Sequence, residues 1–248
     1  GDNAITLPIY KDEVISQFLS YSLGIFMGRY RLDKPGLHIA HPNPTEEELA
    51  PYNFVSMSSR PELRDQQSFT IKIDEDAIIP LMGSECAFPD DALVRIKNLI
   101  HDLWGETTLT ENLNFINECL GTDLDKWLRD KCYGYHTGMY KKKPIYWLFC
   151  SNPKKPQASA FKVLTYMHRM DKYTVSKIQR NYLHPHQEWI KHEIEKAVAN
   201  ESNLSKNELK RLEKLRLWEL ECRDYNEILK TLALQEIVFD LGDGGCVN

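Results

Sequence analysis

Leu215, Trp218, Cys222, Tyr225, Leu229 and Leu232 recur at spacings of 3, 4, 3, 4 and 3. Such a series lines up only on an α-helix of about five turns. Charged residues flank it, so the helix has one apolar seam and needs a surface to bury it against. The stretch from 172 to 199 supplies that surface, and a break falls at Asn200 to Asn203. The preferred reading is a long antiparallel helical hairpin over 172–236, joined at Glu201 to Leu204. Pro185 either kinks its first arm or starts a new helix after His184. The alternative is that Trp218 and Tyr225 face a separate protein, which would make the hairpin a docking module.

The remaining elements follow from periodicity and punctuation. Val14, Ile15, Phe18, Leu19, Leu23, Ile25 and Phe26 cover most of the circumference of a helix over 12–29, a pattern that predicts burial. Gly24 and Gly28 there allow a neighbour to approach closely. Residues 42–125 carry 17 acidic against 5 basic side chains. Three helices fit that region: one begins at Pro89-Asp90 and ends at Gly105, one opens on the capping-box pattern Thr108/Glu111 and closes at Gly121, and one runs from Thr122 to Cys132. Ile145–Cys150 and Ala160–Met167 are β-branched and aromatic, with two prolines between them, and read as a β-hairpin or two adjacent strands. Ile237-Val238-Phe239 reads as a terminal strand.

The fold class expected is therefore α+β and predominantly helical, with a small β element near 144–167 and the hairpin near 172–236. Four segments are expected: a buried helix and turn (1–40), an acidic helical region (41–138), a basic β-hairpin region (139–170), and the helical hairpin with a terminal strand (171–248). With 42% hydrophobic and 10% aromatic residues the chain can bury a core of one large domain or two small ones. No run approaches the ~18 apolar residues of a membrane span, and no secretory signal opens the chain. The six cysteines, Cys86, Cys119, Cys132, Cys150, Cys222 and Cys246, form no Cys-x-x-Cys pair and read as reduced, mostly buried thiols of a cytoplasmic protein. The start at Gly1 and the stop at Asn248 read as the ends of a fragment.

Charge is unevenly spread. From Lys141 to Arg180 there are ten basic residues against one acid, Asp171, whereas the other 208 residues hold 21 basic and 35 acidic side chains. Tyr140, Tyr146, Trp147, Phe149, Phe161, Tyr166 and Tyr173 interleave with this island. Phosphate neutralisation beside stacking rings suits a nucleic-acid backbone; the competing reading pairs the lysines with the chain's own acids and turns the rings into a core. On the first reading the contact set is Lys141, Lys142, Lys143, Lys154, Lys155, Arg169, Lys172, Lys177 and Arg180. Asn152 and Gln157, in the 151–159 loop, are the candidates for reading base edges.

Catalytic constellations are missing. There is no P-loop, no Gly-x-Ser-x-Gly, no nucleophile beside a base, and no Asn/Asp-Pro-Pro-aromatic loop of the kind that grips a flipped adenine. His41-Pro42-Asn43-Pro44 and Asn152-Pro153-Lys154 lack the second proline and the aromatic. Asp240–Gly245 reads as a turn. His184, His186 and His192 read as polar surface residues rather than metal ligands.

The stretch Gln17–Gly36 (QFLSYSLGIFMGRYRLDKPG) resembles a segment of the large adenine-specific DNA methyltransferases of BREX phage-defence systems, the PglX family, relatives of type II restriction-modification methylases. So do Lys143-Pro-Ile-Tyr-Trp-Leu-Phe149, Ala160–Arg169 (AFKVLTYMHR), Asp171–Ile178, Tyr182–His184 and Phe239–Gly244, in the family's order. The resemblance runs from about residue 13 to the end. It implies a parent enzyme that transfers a methyl group from S-adenosylmethionine to adenine N6 in double-stranded DNA. Its catalytic loop would lie upstream, leaving this chain as a non-catalytic C-terminal portion concerned with target recognition. Other subunits of a defence system are implied as partners. Pro185 and Gly244-Gly245-Cys246 depart from the family pattern, and no role is implied for Arg29, Tyr30, Asp33 or Lys34.

Overall fold

Lys162–Tyr166 (β5) is buried at every position, and it organises the molecule. In the computed structural model, which describes residues 9–55, 68–86, 88–141, 143–199 and 204–238, β5 is the middle strand of a three-stranded antiparallel sheet. Ile78–Pro80 (β3) pairs on one side, and Tyr146–Cys150 (β4) on the other, with Tyr146 opposite Tyr166 and Cys150 opposite Lys162. A strand covered on both faces has no solvent side, which suits the β-branched and aromatic run Ala160–Met167, whose Lys162 and Thr165 are buried with the rest. The hairpin expectation holds, and β3 is an addition to it. β3 was missed because a three-residue strand carries no alternation to recognise.

Each face of the sheet feeds its own core. Ile79, Leu81, Tyr146, Leu164 and Tyr166 meet Lys11–Phe26 (α1), Ala92–Trp104 (α3), Glu106–Leu120 (α4), Leu124–Asp130 (α5) and Cys132–Met139 (α6). Ile78, Phe161 and Val163 meet the helical hairpin. Its first arm runs through Thr174–Lys177 (α7), a π-turn at Ile178–Leu183 and His184–Ala199 (α8); its second is Lys206–Ala233 (α9), opened by a Ser205/Glu208 capping box. The arms are antiparallel: Gln179 bonds Asn226 near one end, and Arg211 bonds Glu193 toward the other. The π-turn immediately precedes Pro185, so the missing amide hydrogen is accommodated by a widened turn and not by a break. Leu215, Cys222, Tyr225 and Leu229 are buried, with Trp218 and Leu232 packed beside them, so the seam faces inward.

Several local expectations need correcting. Only the C-terminal half of α1 is enclosed; Val14 is 53% exposed, because the helix begins beyond the edge of the core. The acidic stretch holds strands as well as helices: Glu46–Leu49 (α2) precedes Tyr52–Val55 (β1), which pairs with Ser68–Ile71 (β2). α4 starts at Glu106 behind Gly105, not at a Thr108/Glu111 box. Thr108 lies inside the helix and its hydroxyl donates back to the Trp104 carbonyl. The helix expected from Thr122 to Cys132 is two helices meeting at Lys131. Ile237 and Val238 belong to no strand, and the rest of that expected strand lies outside the described residues, as does Cys246. Cys86, Cys132, Cys150 and Cys222 are buried free thiols, and Cys119 is half-buried.

Gly24 shows how tightly α1 is seated. A Cβ there would lie 2.6 Å from the Tyr30 ring and 2.7 Å from the Tyr146 hydroxyl. Alanine gains about 1 kcal/mol of helix propensity, but overpacking against two rings costs about 1–3 kcal/mol. Gly24→Ala is therefore expected to lower stability by about 1 kcal/mol in urea denaturation, against the propensity scale.

Candidate nucleic-acid interface

The contiguous basic island of the sequence is taken apart by the sheet. β4 and β5 run antiparallel, so Lys141 and Lys143 stand at one end of the strand pair. Lys154 and Lys155 stand in the loop at the other end, about 17 Å away for a five-residue strand. Lys141, Lys143, Lys154, Lys155, Gln157 and Arg180 are exposed, and Lys142 lies outside the described residues.

Four other members are engaged within the protein. Arg169 is 4% exposed and does not reach solvent as a phosphate ligand. Its Nη1 donates to the carbonyls of Met27 (3.0 Å) and Asp74 (2.6 Å), and its Nη2 to that of Glu75 (2.7 Å). The guanidinium thus ties the end of α1 and the approach to β3 to the end of β5. Lys177 pairs with Asp171 at 2.8 Å, and Lys172 with Glu236 at 2.9 Å, which offsets their charge locally. Asn152 is half-buried and its Oδ1 accepts the Lys155 amide, so that side chain shapes the turn and is not free to read a base. Of the interleaved rings, Tyr146, Phe161 and Tyr166 are core, whereas Trp147 and Tyr173 are 44% and 50% exposed.

The loop carrying Lys154, Lys155 and Gln157 is held at both feet. Ser151 Oγ donates to Glu221 Oε1 (2.5 Å), the Ala160 amide donates to the same oxygen (2.9 Å), and the Asn152 amide donates to Ser159 Oγ. A turn of 3₁₀ helix at Pro156–Ala158 stiffens its middle. Three cations sit at its base, of which Arg129 and Lys214 come from distant parts of the chain. With Lys162 they line a crevice of about 300 Å³ that also touches Gln157, Ser159 and Trp218. Arg129 and Lys214 escaped the sequence reading because a charge run is counted along the chain, and these two lie on α5 and α9.

Elsewhere, histidines serve structure. His136 Nε2 accepts the amides of Ile145 and Tyr146, and its ring stacks on Tyr146. His186 is not the surface residue expected: it is 1% exposed, and its Nε2 donates to the Ala160 carbonyl at 2.9 Å. His184 bonds Asn226, and His192 is exposed. Arg29 is buried with its Nε on the Tyr30 hydroxyl and an Nη on that of Tyr166; Arg31 holds Asp33. Among the described residues no group of three or more His, Cys, Asp or Glu side chains is placed to hold a metal ion, and no helix is long and apolar enough to cross a membrane.

These features define an α+β, mainly helical module with a stiffened basic loop over a cationic crevice. Over 96% of its length the chain is 34% identical to the adenine-specific methyltransferase BrxX of Escherichia coli O9:H4 (strain HS), covering 20% of that protein. Over 94% it is 31% identical to the adenine-specific methyltransferase PglX of Lacticaseibacillus casei (strain Zhang), covering 19%. No family model matches the chain. The chain is thus similar over nearly its whole length to one region of adenine-specific methyltransferases of the BrxX and PglX kind, in line with the motif resemblance, and spans about one fifth of the length of these relatives.

Proposed function

We propose that this chain is a non-catalytic, C-terminal, DNA-engaging portion of an N6-adenine methyltransferase of a phage-defence system. S-adenosylmethionine and the catalytic loop then belong to another part of the parent enzyme, in the bacterial cytoplasm. The observation that carries the reading is the 151–159 loop: it is anchored at both feet and presents Lys154, Lys155 and Gln157 to solvent. Lysines on a stiff loop neutralise phosphates at low entropic cost, and an exposed amide beside them is suited to an adenine edge. Lys141 and Lys143 are further exposed cations at the far end of the same strand pair, and Arg180 is exposed on the π-turn of the helical hairpin. On the seam where a partner-docking role would rest, Tyr225 is buried and Trp218 packs partly against the same core, which favours the DNA reading.

The test is duplex binding across a salt series. Replacing Lys154 and Lys155 with Gln is expected to weaken binding at every sequence and to lower the log–log salt slope by about two. An unchanged slope overturns the reading.

A further inference from the structure

Lys162 is a buried ammonium whose charge is not balanced by a direct partner. Its residue is 3% exposed, and its Nζ donates to the Arg129 carbonyl at 2.5 Å. Among the described residues no carboxylate stands within ion-pair distance of it. Two of the acids nearby are already engaged: Asp125 holds the Arg129 Nε at 2.9 Å and accepts from Ser84, and Glu85 holds Lys214 at 2.7 Å. Asp130 and Asp125 act on Lys162 only through space, and burial pushes its ammonium down to about 8. A buried cation costs several kcal/mol unless something anionic answers it.

That cation lines the crevice at the foot of the 151–159 loop. Arg129 and Lys214 there are each paired with a carboxylate, which leaves Lys162 as the lining cation with no directly bonded acid. Around it the crevice provides the Ser159 hydroxyl, the Gln157 amide and the Trp218 ring, over which Lys214 Nζ sits at 4.4 Å. Ammonium and guanidinium donors match a singly charged oxyanion with several acceptor oxygens, and the indole offers an apolar wall for a sugar.

We infer that this crevice seats one phosphodiester of the DNA backbone, with Lys162 as the charge that answers it and Lys214 and Arg129 flanking. This deepens the DNA reading and rests on it. The crevice phosphate would fix the register in which Lys154 and Lys155 meet the neighbouring phosphates.

The experiment uses this chain and a duplex oligonucleotide across a salt series, with Lys162→Met, which keeps the length of the side chain and removes the charge. The expected result is about tenfold weaker binding at moderate salt and a slope lower by about one, with an unfolding midpoint no lower than that of the parent chain. A folded Lys162→Met protein with an unchanged slope overturns the inference. If that variant fails to fold, Lys214→Gln on the rim carries the test, with the same expected loss of about one in slope and the same refutation. Titration with inorganic phosphate distinguishes the source of the ligand: micromolar binding that Lys162→Met abolishes, with DNA affinity untouched, would make this a free-phosphate site and refute the backbone assignment. The loop variant serves as the control. If it lowers the slope and Lys162→Met does not, the crevice assignment fails alone; if neither does, the DNA reading fails with it.

Discussion

Arg169→Met is expected to lower the stability of the chain by about 3–5 kcal/mol, the largest single effect predicted here. The guanidinium supplies three donors to the backbone carbonyls of Met27, Asp74 and Glu75. Methionine fills the space of the stem but gives those oxygens nothing in return. A buried acceptor stripped of its partner costs about 1–3 kcal/mol, and the loss is concentrated where α1 and the approach to β3 both meet the end of β5. Against a typical total of about 5–15 kcal/mol, that is a large share. Arg169→Lys should recover only part, since one ammonium lacks the planar fork that spans carbonyls on two segments. Urea denaturation with coincident probes measures this; a loss under 1 kcal/mol for Met would mean that the guanidinium is not what joins these segments. Had Arg169 been a phosphate ligand, its removal would have left the fold intact and changed only the salt slope.

His186→Gln is expected to make the chain about 2 kcal/mol less sensitive to acid than its parent between pH 7 and pH 4.5. Burial lowers the His186 imidazole from 6.5 to about 4, against an opposing pull from the Ala160 carbonyl. In this window the unfolded chain takes up a proton at its histidine and the folded chain does not. Stability therefore falls as pH drops from 6.5 toward 4, at up to about 1.36 kcal/mol per pH unit. Glutamine keeps an amide donor for the Ala160 carbonyl and does not titrate. The comparison with the parent isolates the effect, which the raw pH slope would not. Asp74, although paired with Arg95, is pushed by burial up to about 6 and favours the folded state as pH falls, and burial raises Asp76, Asp90 and Asp91 in the same direction. His136, lowered to about 4 by burial with a smaller contribution from Arg29, acts as His186 does and is present in both proteins. Chemical denaturation at the two pH values is the measurement, and parallel losses in the two proteins would refute the assignment.

The DNA reading and the structural roles of these residues compete for the same side chains. Of the basic residues between 141 and 180, Lys162 and Arg169 went into the interior and Lys172 and Lys177 into ion pairs. The exposed lysines divide between the two ends of the β4–β5 pair, and exposed Arg180 lies on the helical hairpin. The electrostatic footprint is consequently smaller than the count of charges implied, and it is regrouped. Arg129, Lys162 and Lys214 meet in the crevice at the base of the loop that carries Lys154 and Lys155.

What residue order determined was everything whose physics is local. The 3-4-3-4-3 seam required a long helix with a buried side, the β-branched and aromatic run at 160–167 required a strand, Gly121 closed a helix in the left-handed conformation, and the motifs from Gln17 to Tyr182 carried the family resemblance. Burial and charge pairing were decided by the tertiary structure, because both depend on neighbours that are distant along the chain. Arg169 finds its carbonyl partners about 95 and 142 positions away. β3 is a strand because β5 offers it an edge. Lys162, a lysine like its neighbours when read in order, became a lone buried cation only when α5 and α9 closed over the end of the sheet.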